Sequence, residues 1–193
     1  MDTTRIQPVP VNTSDSVLFF DTERKGNKEA MMDYGLAYTF KMCDRRFHKG
    51  RVNSILQQKC LSILAKLLEV ESFPDDLTIQ TYFEWEHIDL IVEVYKNDQC
   101  WAAIMIENKV DSSLKYHQVD GYKTVFDSYY NGTESWQIRK HWVIHAGADV
   151  PKYFFELCEK NGVKYTDLDK LKEGIEEDTG NTIFDEFWIR DWE

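Results

Sequence analysis

The chain has 193 residues, 42% of them hydrophobic and 14% aromatic, enough for one globular domain that buries about 70% of the surface its unfolded form exposes. No run approaches the roughly 18 apolar residues of a membrane span, the opening MDTTRIQPVP lacks the basic and apolar regions of a signal peptide, and the cytosol is the default compartment. A formal charge of -11 argues against a strong nonspecific nucleic-acid binder, since that affinity grows with the number of Lys and Arg contacts to phosphate.

Residues 1 to about 14 hold two prolines in polar surroundings and are expected to form a mobile lead-in, with the core spanning about 27–168. Ser16 to Asp21 is a short apolar run that suits either a strand or a helix start. From Asn27 to about Phe47, Met31, Tyr34, Tyr38 and Met42 keep helical spacing. Gly35 weakens this helix slightly, and Glu29 sits in its first turn, where the helix dipole favours an acid. A polar connection, His48 to Asn53, leads to a second helix over Ile55 to Val70, with Leu56, Cys60, Ile63, Leu64, Leu67 and Leu68 on its buried side. Leu77 to Trp85 then alternates as a strand.

The next stretch, Ile88 to Lys109, reads as a β-hairpin. Both arms are rich in β-branched and aromatic residues, and Asn97, Asp98 and Gln99 carry turn chemistry between them. A three-residue loop would set Lys96 opposite Cys100, so that paired numbers sum to 196 and Asp89 lies across from Glu107. Directly paired residues share a face, and alternation puts Lys109 on that face too. The second arm is the most apolar run in the chain, Trp101 to Ile106, yet it ends in Glu107, Asn108 and Lys109. A carboxylate and an amine at the end of a buried strand cost several kcal/mol in lost hydration unless they are paired, metal-bound or open to a wet cleft. Two carboxylates beside an ammonium suit a hard cation such as Mg²⁺, which takes one or two carboxylates and keeps several waters.

A helix is expected from Asp111, Ser112 and Ser113, good capping residues, to about Tyr130. Gln118 and Tyr122, four apart, stack on one of its faces. A polar loop, Asn131 to Gln137, precedes an apolar strand over His141 to Ala146. Pro151 to Lys160 is helical, with Pro151 well placed in a first turn and Asn161-Gly162 as its stop. Lys164 to Leu168 suits a short edge strand, and Trp188 with Trp192 suits a last segment folded back on the body.

The run IENKVDSSLKYHQVDGY resembles the PD-(D/E)XK nuclease superfamily, and within it the group with an I-E-N-K strand followed by a Q-x-x-x-Y helix. The resemblance implies an α/β fold with a restriction-endonuclease-like αβββαβ core, a central mixed sheet flanked by helices. It also implies metal-dependent hydrolysis of phosphodiester bonds, usually in DNA, with Mg²⁺ or Mn²⁺ as cofactor. Asp89 matches the acid of the second core strand, Glu107 and Lys109 match the E and K, and Gln118 with Tyr122 match the helix motif. Asn108 holds the variable position, where the backbone carbonyl is expected to reach the metal beside Asp89 and Glu107. Glu29 is the best match for a glutamate that related nucleases carry on the first core helix. Ile88 stands where the motif has proline.

Charge distribution is compatible with a nucleic-acid partner. From Arg24 to Cys60 nine bases face three acids, whereas from Pro151 to Glu193 six bases face twelve acids. A homo-oligomer or a partner subunit is compatible with the sequence as well. Two other readings compete: a nuclease-fold binding module without chemistry, and an acidic interaction protein that mimics DNA. The cysteines at 43, 60, 100 and 158 and the five histidines lack metal-ligand spacing and are read as core or surface residues.

Overall fold

The computed structural model describes residues 28–48, 55–110, 113–131, 136–147, 150–175 and 179–189. The expected lead-in, the run from Ser16 to Asp21, most of the connection after His48 and Trp192 lie outside these residues. The elements are α1 (Lys28–Lys41), α2 (Ile55–Leu68), β1 (Leu77–Trp85), β2 (Ile88–Lys96), β3 (Gln99–Lys109), α3 (Tyr116–Tyr130), β4 (Ile138–His145), α4 (Lys152–Asn161), β5 (Lys164–Asp167), α5 (Leu168–Lys172) and α6 (Thr182–Ile189). The five strands form one mixed sheet in the order β1-β2-β3-β4-β5, antiparallel from β1 to β3 and parallel from β3 to β5. No helix among the described residues is long and apolar enough to cross a membrane.

Strand alternation divides the core between the two faces of the sheet. Leu90, Val92, Ile104, Ile106 and Ile144 pack on α1, α2, α5 and α6, while Ile91, Ala103 and Met105 pack on the aromatic side of α3. Val143 meets α4 through Phe154 and Cys158. The central strands are covered on both faces, which is why β2 and β3 are almost continuously apolar.

The β2–β3 register differs from the expectation in its turn and agrees with it where the charges lie. The loop is two residues, Asn97 and Asp98, with φ of 49° and 58°, the left-handed pair that a tight hairpin turn requires. Lys96 therefore pairs with Gln99 and Tyr95 with Cys100. A bulge between Val94 and Tyr95 then leaves Trp101 as an extra residue, and from Val94–Ala102 to Leu90–Ile106 the paired numbers sum to 196. The shorter turn and the bulge cancel.

Two helices also depart from their expected form. In α1 the fully buried apolar side chains are Met32, Leu36, Ala37 and Phe40, whereas Met31, Tyr34, Tyr38 and Met42 are half-buried. This helix is covered by the sheet on one side and by α6 on another, so no single apolar stripe describes it. It ends at Lys41, and a separate 3-10 turn spans Arg45–His48. Asp44 fixes that turn to the sheet, its buried carboxylate accepting hydrogen bonds from the backbone N–H of Ile79 and from Arg46. Helix α3 starts at Tyr116, not near Asp111, with Lys115 at its N-cap and no side chain capping it. Asp111 and Ser112 fall outside the described residues, and Ser113 precedes the helix without joining it.

Gly35 is where α6 docks. A Cβ there would lie 2.1 Å from Cδ2 of Phe187, so only glycine admits the ring. Exchanging glycine for alanine inside a helix gains about 1 kcal/mol of propensity, but overpacking a filled contact costs about 1–3 kcal/mol. Gly35→Ala is therefore expected to lower the urea midpoint of the parent and to raise it in a Phe187→Ala background. Equal effects in both backgrounds would rule out this contact as the reason for glycine.

Candidate functional site

The end of β3 carries Glu107, Asn108 and Lys109, each buried or nearly so, at the rim of the sheet beside the start of β2. Asp89, the second residue of β2, lies across from them with its side chain 28% exposed, so it forms the open side of the cluster. Where the β2–β3 pairing reaches Leu90–Ile106, Asp89 continues it with its side chain, Oδ2 accepting the Asn108 N–H at 2.8 Å. Lys109 Nζ donates to Glu107 Oε1 at 2.7 Å and to the Asn108 carbonyl at 2.9 Å, and lies 4.0 Å from Asp89 Oδ2. The expected convergence of Asp89, Glu107 and Lys109 is thus present.

Helix α3 adds two more groups. Gln118 Nε2 donates to Glu107 Oε1 at 2.5 Å and stands 3.4 Å from the Tyr122 hydroxyl. The helix is held to the sheet by apolar packing of Val119, Phe126 and Tyr130 and by a polar contact on β4. There His141 Nε2 lies 2.8 Å from Asp127 Oδ1, and Lys123 pairs with the same carboxylate at 3.0 Å.

Alternation sends the Asn108 side chain to the opposite face, toward α1, and there it meets a residue that the motif reading missed. Asn108 Nδ2 donates to Asp33 Oδ1 at 2.5 Å. Asp33 lies one helical turn beyond Glu29, and that i, i+4 spacing was the available signal. Glu29 is half-buried in the first turn of α1, and its charge acts on Asp33, Asp89 and Lys109. Glu84, near the end of β1, and Glu86, in the β1–β2 turn, are both exposed.

The electrostatics follow from burial and crowding. Burial, then the nearby Asp89 charge, pushes the Glu107 carboxyl up to about 8. Burial and Asp89 likewise push Asp33 up to about 7, against the pull of its Asn108 hydrogen bond. Burial also raises Asp89, although Lys109 and the Asn108 N–H oppose it. For Lys109, burial disfavours the charge, but attraction to Glu107 and Asp89 outweighs it and raises the ammonium above its ordinary range. Among the described residues, several acids thus crowd the Lys109 amine.

At this rim, neither Glu107 Oε2 nor Asn108 Oδ1 has a hydrogen-bond partner among the described residues, and an orphaned buried acceptor calls for an explanation. Among the described residues no group of three or more His, Cys, Asp or Glu side chains is arranged to hold a metal ion. The oxygen donors at this rim are two carboxyls and the Asn108 carbonyl, a hard-oxygen set of the kind that Mg²⁺ or Mn²⁺ accepts alongside water. The unpaired Glu107 Oε2 fits such an ion. No family model, no curated protein and no solved structure matches the chain.

The docking of α3, which carries Gln118 and Tyr122, should depend on pH through its contact with β4. Burial lowers the His141 pKa below its ordinary 6.5, despite the attraction of Asp127. Asp127 is lowered as well: burial works against its charge, but the bonds from Lys123 and His141 prevail. In both cases the unfolded chain takes up the proton before the folded one does, so stability is complete above the ordinary values and lost in acid. The urea midpoint of the parent is expected to fall relative to that of His141→Gln as the pH drops from 7.5 to 5, with little change in the difference above 7.5. A constant difference over the whole range would contradict this assignment.

Proposed function

We propose that this chain is a metal-dependent nuclease of the PD-(D/E)XK type that hydrolyses phosphodiester bonds in DNA. The observation that carries the reading is the cluster of Asp89, Glu107 and Lys109 at one sheet rim, with Gln118 donating to Glu107. The order α1, three antiparallel strands, α3 and a parallel β4 supports a restriction-endonuclease-like core.

Asp89, Glu107 and the carbonyl of Asn108 would hold the cation, which supplies a Lewis acid for the phosphoryl oxygen and a lower pKa for attacking water. Gln118 fixes the rotamer of Glu107 by its hydrogen bond at 2.5 Å, leaving Oε2 directed elsewhere. The Lys109 ammonium has three hydrogens, and its bonds to Glu107 and Asn108 leave one on the Asp89 side. Its role is to stabilise charge that develops on the phosphate, because an amine paired with two acids keeps its proton. Tyr122 reaches the site through Gln118, and its hydroxyl offers a hydrogen bond to the nucleic-acid backbone.

The net charge of -11 favours one competing reading, an acidic protein that imitates DNA. The two diverge on cation binding and turnover. Incubated with labelled single- and double-stranded DNA and RNA, the purified chain is expected to cut DNA with Mg²⁺ or Mn²⁺ and to be inert with a chelator. Lys109→Ala is expected to slow cleavage by about a hundredfold or more, the scale for losing one group that stabilises transition-state charge, and Glu107→Ala to abolish it. Undiminished cutting by either variant, or none by the parent with any substrate, refutes the proposal.

A further inference from the structure

The position between Glu107 and Lys109 has no side-chain role in the motif, yet here its side chain is fully buried and gripped from another element. Three contacts converge on the one residue Asn108. Its amide Nδ2 donates to Asp33 Oδ1 on α1 at 2.5 Å, its N–H donates to Asp89 Oδ2 at 2.8 Å, and its carbonyl accepts from Lys109 Nζ at 2.9 Å. Among the described residues the Asn108 amide oxygen has no partner, and Asp33 is the one that holds this side chain by a hydrogen bond. We propose that Asp33 is a positioning residue, which anchors the Asn108 peptide from the α1 face and thereby sets the angle at which Asp89 and Lys109 meet the cation site.

The argument is mechanical. Asn108 and its neighbours form the last rungs of β3, and only the parallel β4 pairs with them along the whole run, Asn108 with Ile144 and Lys109 with His145. On the β2 side, the paired residues end at Leu90–Ile106 and a side chain takes over. The peptide that orients both Asp89 and Lys109 is therefore paired along its backbone on one side alone, and Asp33 supplies the missing tether from a third direction. Such a contact lies behind the groups that touch the cation, as do the outer partners that orient metal-bound carboxylates and histidines elsewhere.

This inference rests on the nuclease reading, and Mn²⁺ calorimetry separates the two. The parent is expected to bind Mn²⁺, and Asp33→Ala is expected to bind it about tenfold more weakly, at the lower end of what loss of an outer partner costs. Asp33→Asn, which keeps an acceptor for the Asn108 amide, should bind Mn²⁺ as the parent does. Asn108→Ser should weaken binding as Asp33→Ala does, and combining the two should lose no more than either alone, because both remove one contact. Should Asp33→Ala fail to fold, Asn108→Ser and Asp33→Asn carry the test. A purely structural Asp33 would lower the melting temperature and leave Mn²⁺ affinity unchanged; that result overturns the inference and spares the nuclease reading. A parent that binds no Mn²⁺ overturns both.

Discussion

Everything at the sheet rim depends on one constraint: β3 carries its last three residues, an acid, an amide and an amine, into the interior without a turn to release them to water. Glu107 and Asn108 are fully buried and Lys109 is 5% exposed. Removing such groups from water costs several kcal/mol each unless partners replace the hydration. The surrounding elements can be read as those partners. Helix α3 brings Gln118 to Glu107, α1 brings Asp33 to Asn108, and β2 brings Asp89 to the Asn108 N–H. Lys109 turns back on its own strand to meet Glu107 and the Asn108 carbonyl.

A second buried acid on β2 shows what a solution without open chemistry looks like. Glu93, two rungs further along the same face, receives the hydroxyls of Tyr82, Tyr95 and Tyr130 at 2.8, 2.5 and 2.8 Å. Burial and the Glu93 charge raise the pKa of all three phenols, so the hydroxyls stay protonated and both Glu93 oxygens meet donors. Glu107 sits in comparable burial, with one oxygen shared by Lys109 and Gln118 and the other without a nitrogen or hydroxyl donor among the described residues. The contrast between a closed carboxylate and an unfinished one on the same sheet is the strongest physical reason to look for function at the rim.

Much of this was legible in the chain, and the failures have identifiable causes. The convergence of Asp89 with Glu107 followed from strand period and register, although the turn was assigned one residue too many. It survived because the bulge at Trp101 restored the count, and nothing in the pattern of β-branched residues announces a bulge. In α2 the buried apolar residues agree with the sequence reading, because its apolar stripe is the face that meets the body, while the buried Gln57 and the end at Leu68 do not. The stripe assigned to α1 was displaced because α6, more than a hundred residues later, covers a second face, and amphipathic spacing carries no record of a distant partner. Asp33 escaped for a related reason: an acid on a helix reads as a solvated residue until the strand opposite is known to present a buried amide. The capping residues near Asp111 suggested a start for α3 that the helix does not use, because local capping preference, worth about 1 kcal/mol, yields to the packing that seats Leu114 and Val119.

Charge joins the overall composition to the rim. A chain of net charge -11 repels a polyanion at long range, and the rim sharpens the problem by gathering Glu29, Asp33, Asp89 and Glu107 around the amine of Lys109. Burial and crowding already push Glu107 up to about 8 and Asp33 up to about 7, so phosphate oxygens brought to such a place would meet acids held near the edge of ionisation, with little positive charge to attract them. On the proposed reading, a divalent cation answers two needs at once, since it neutralises the crowded acids and turns a repulsive rim into one that attracts phosphate. Binding of nucleic acid at the rim should then be conditional on the cation and weak without it, so the acidity that excludes a nonspecific nucleic-acid binder becomes the means by which contact is restricted to the metal-loaded site.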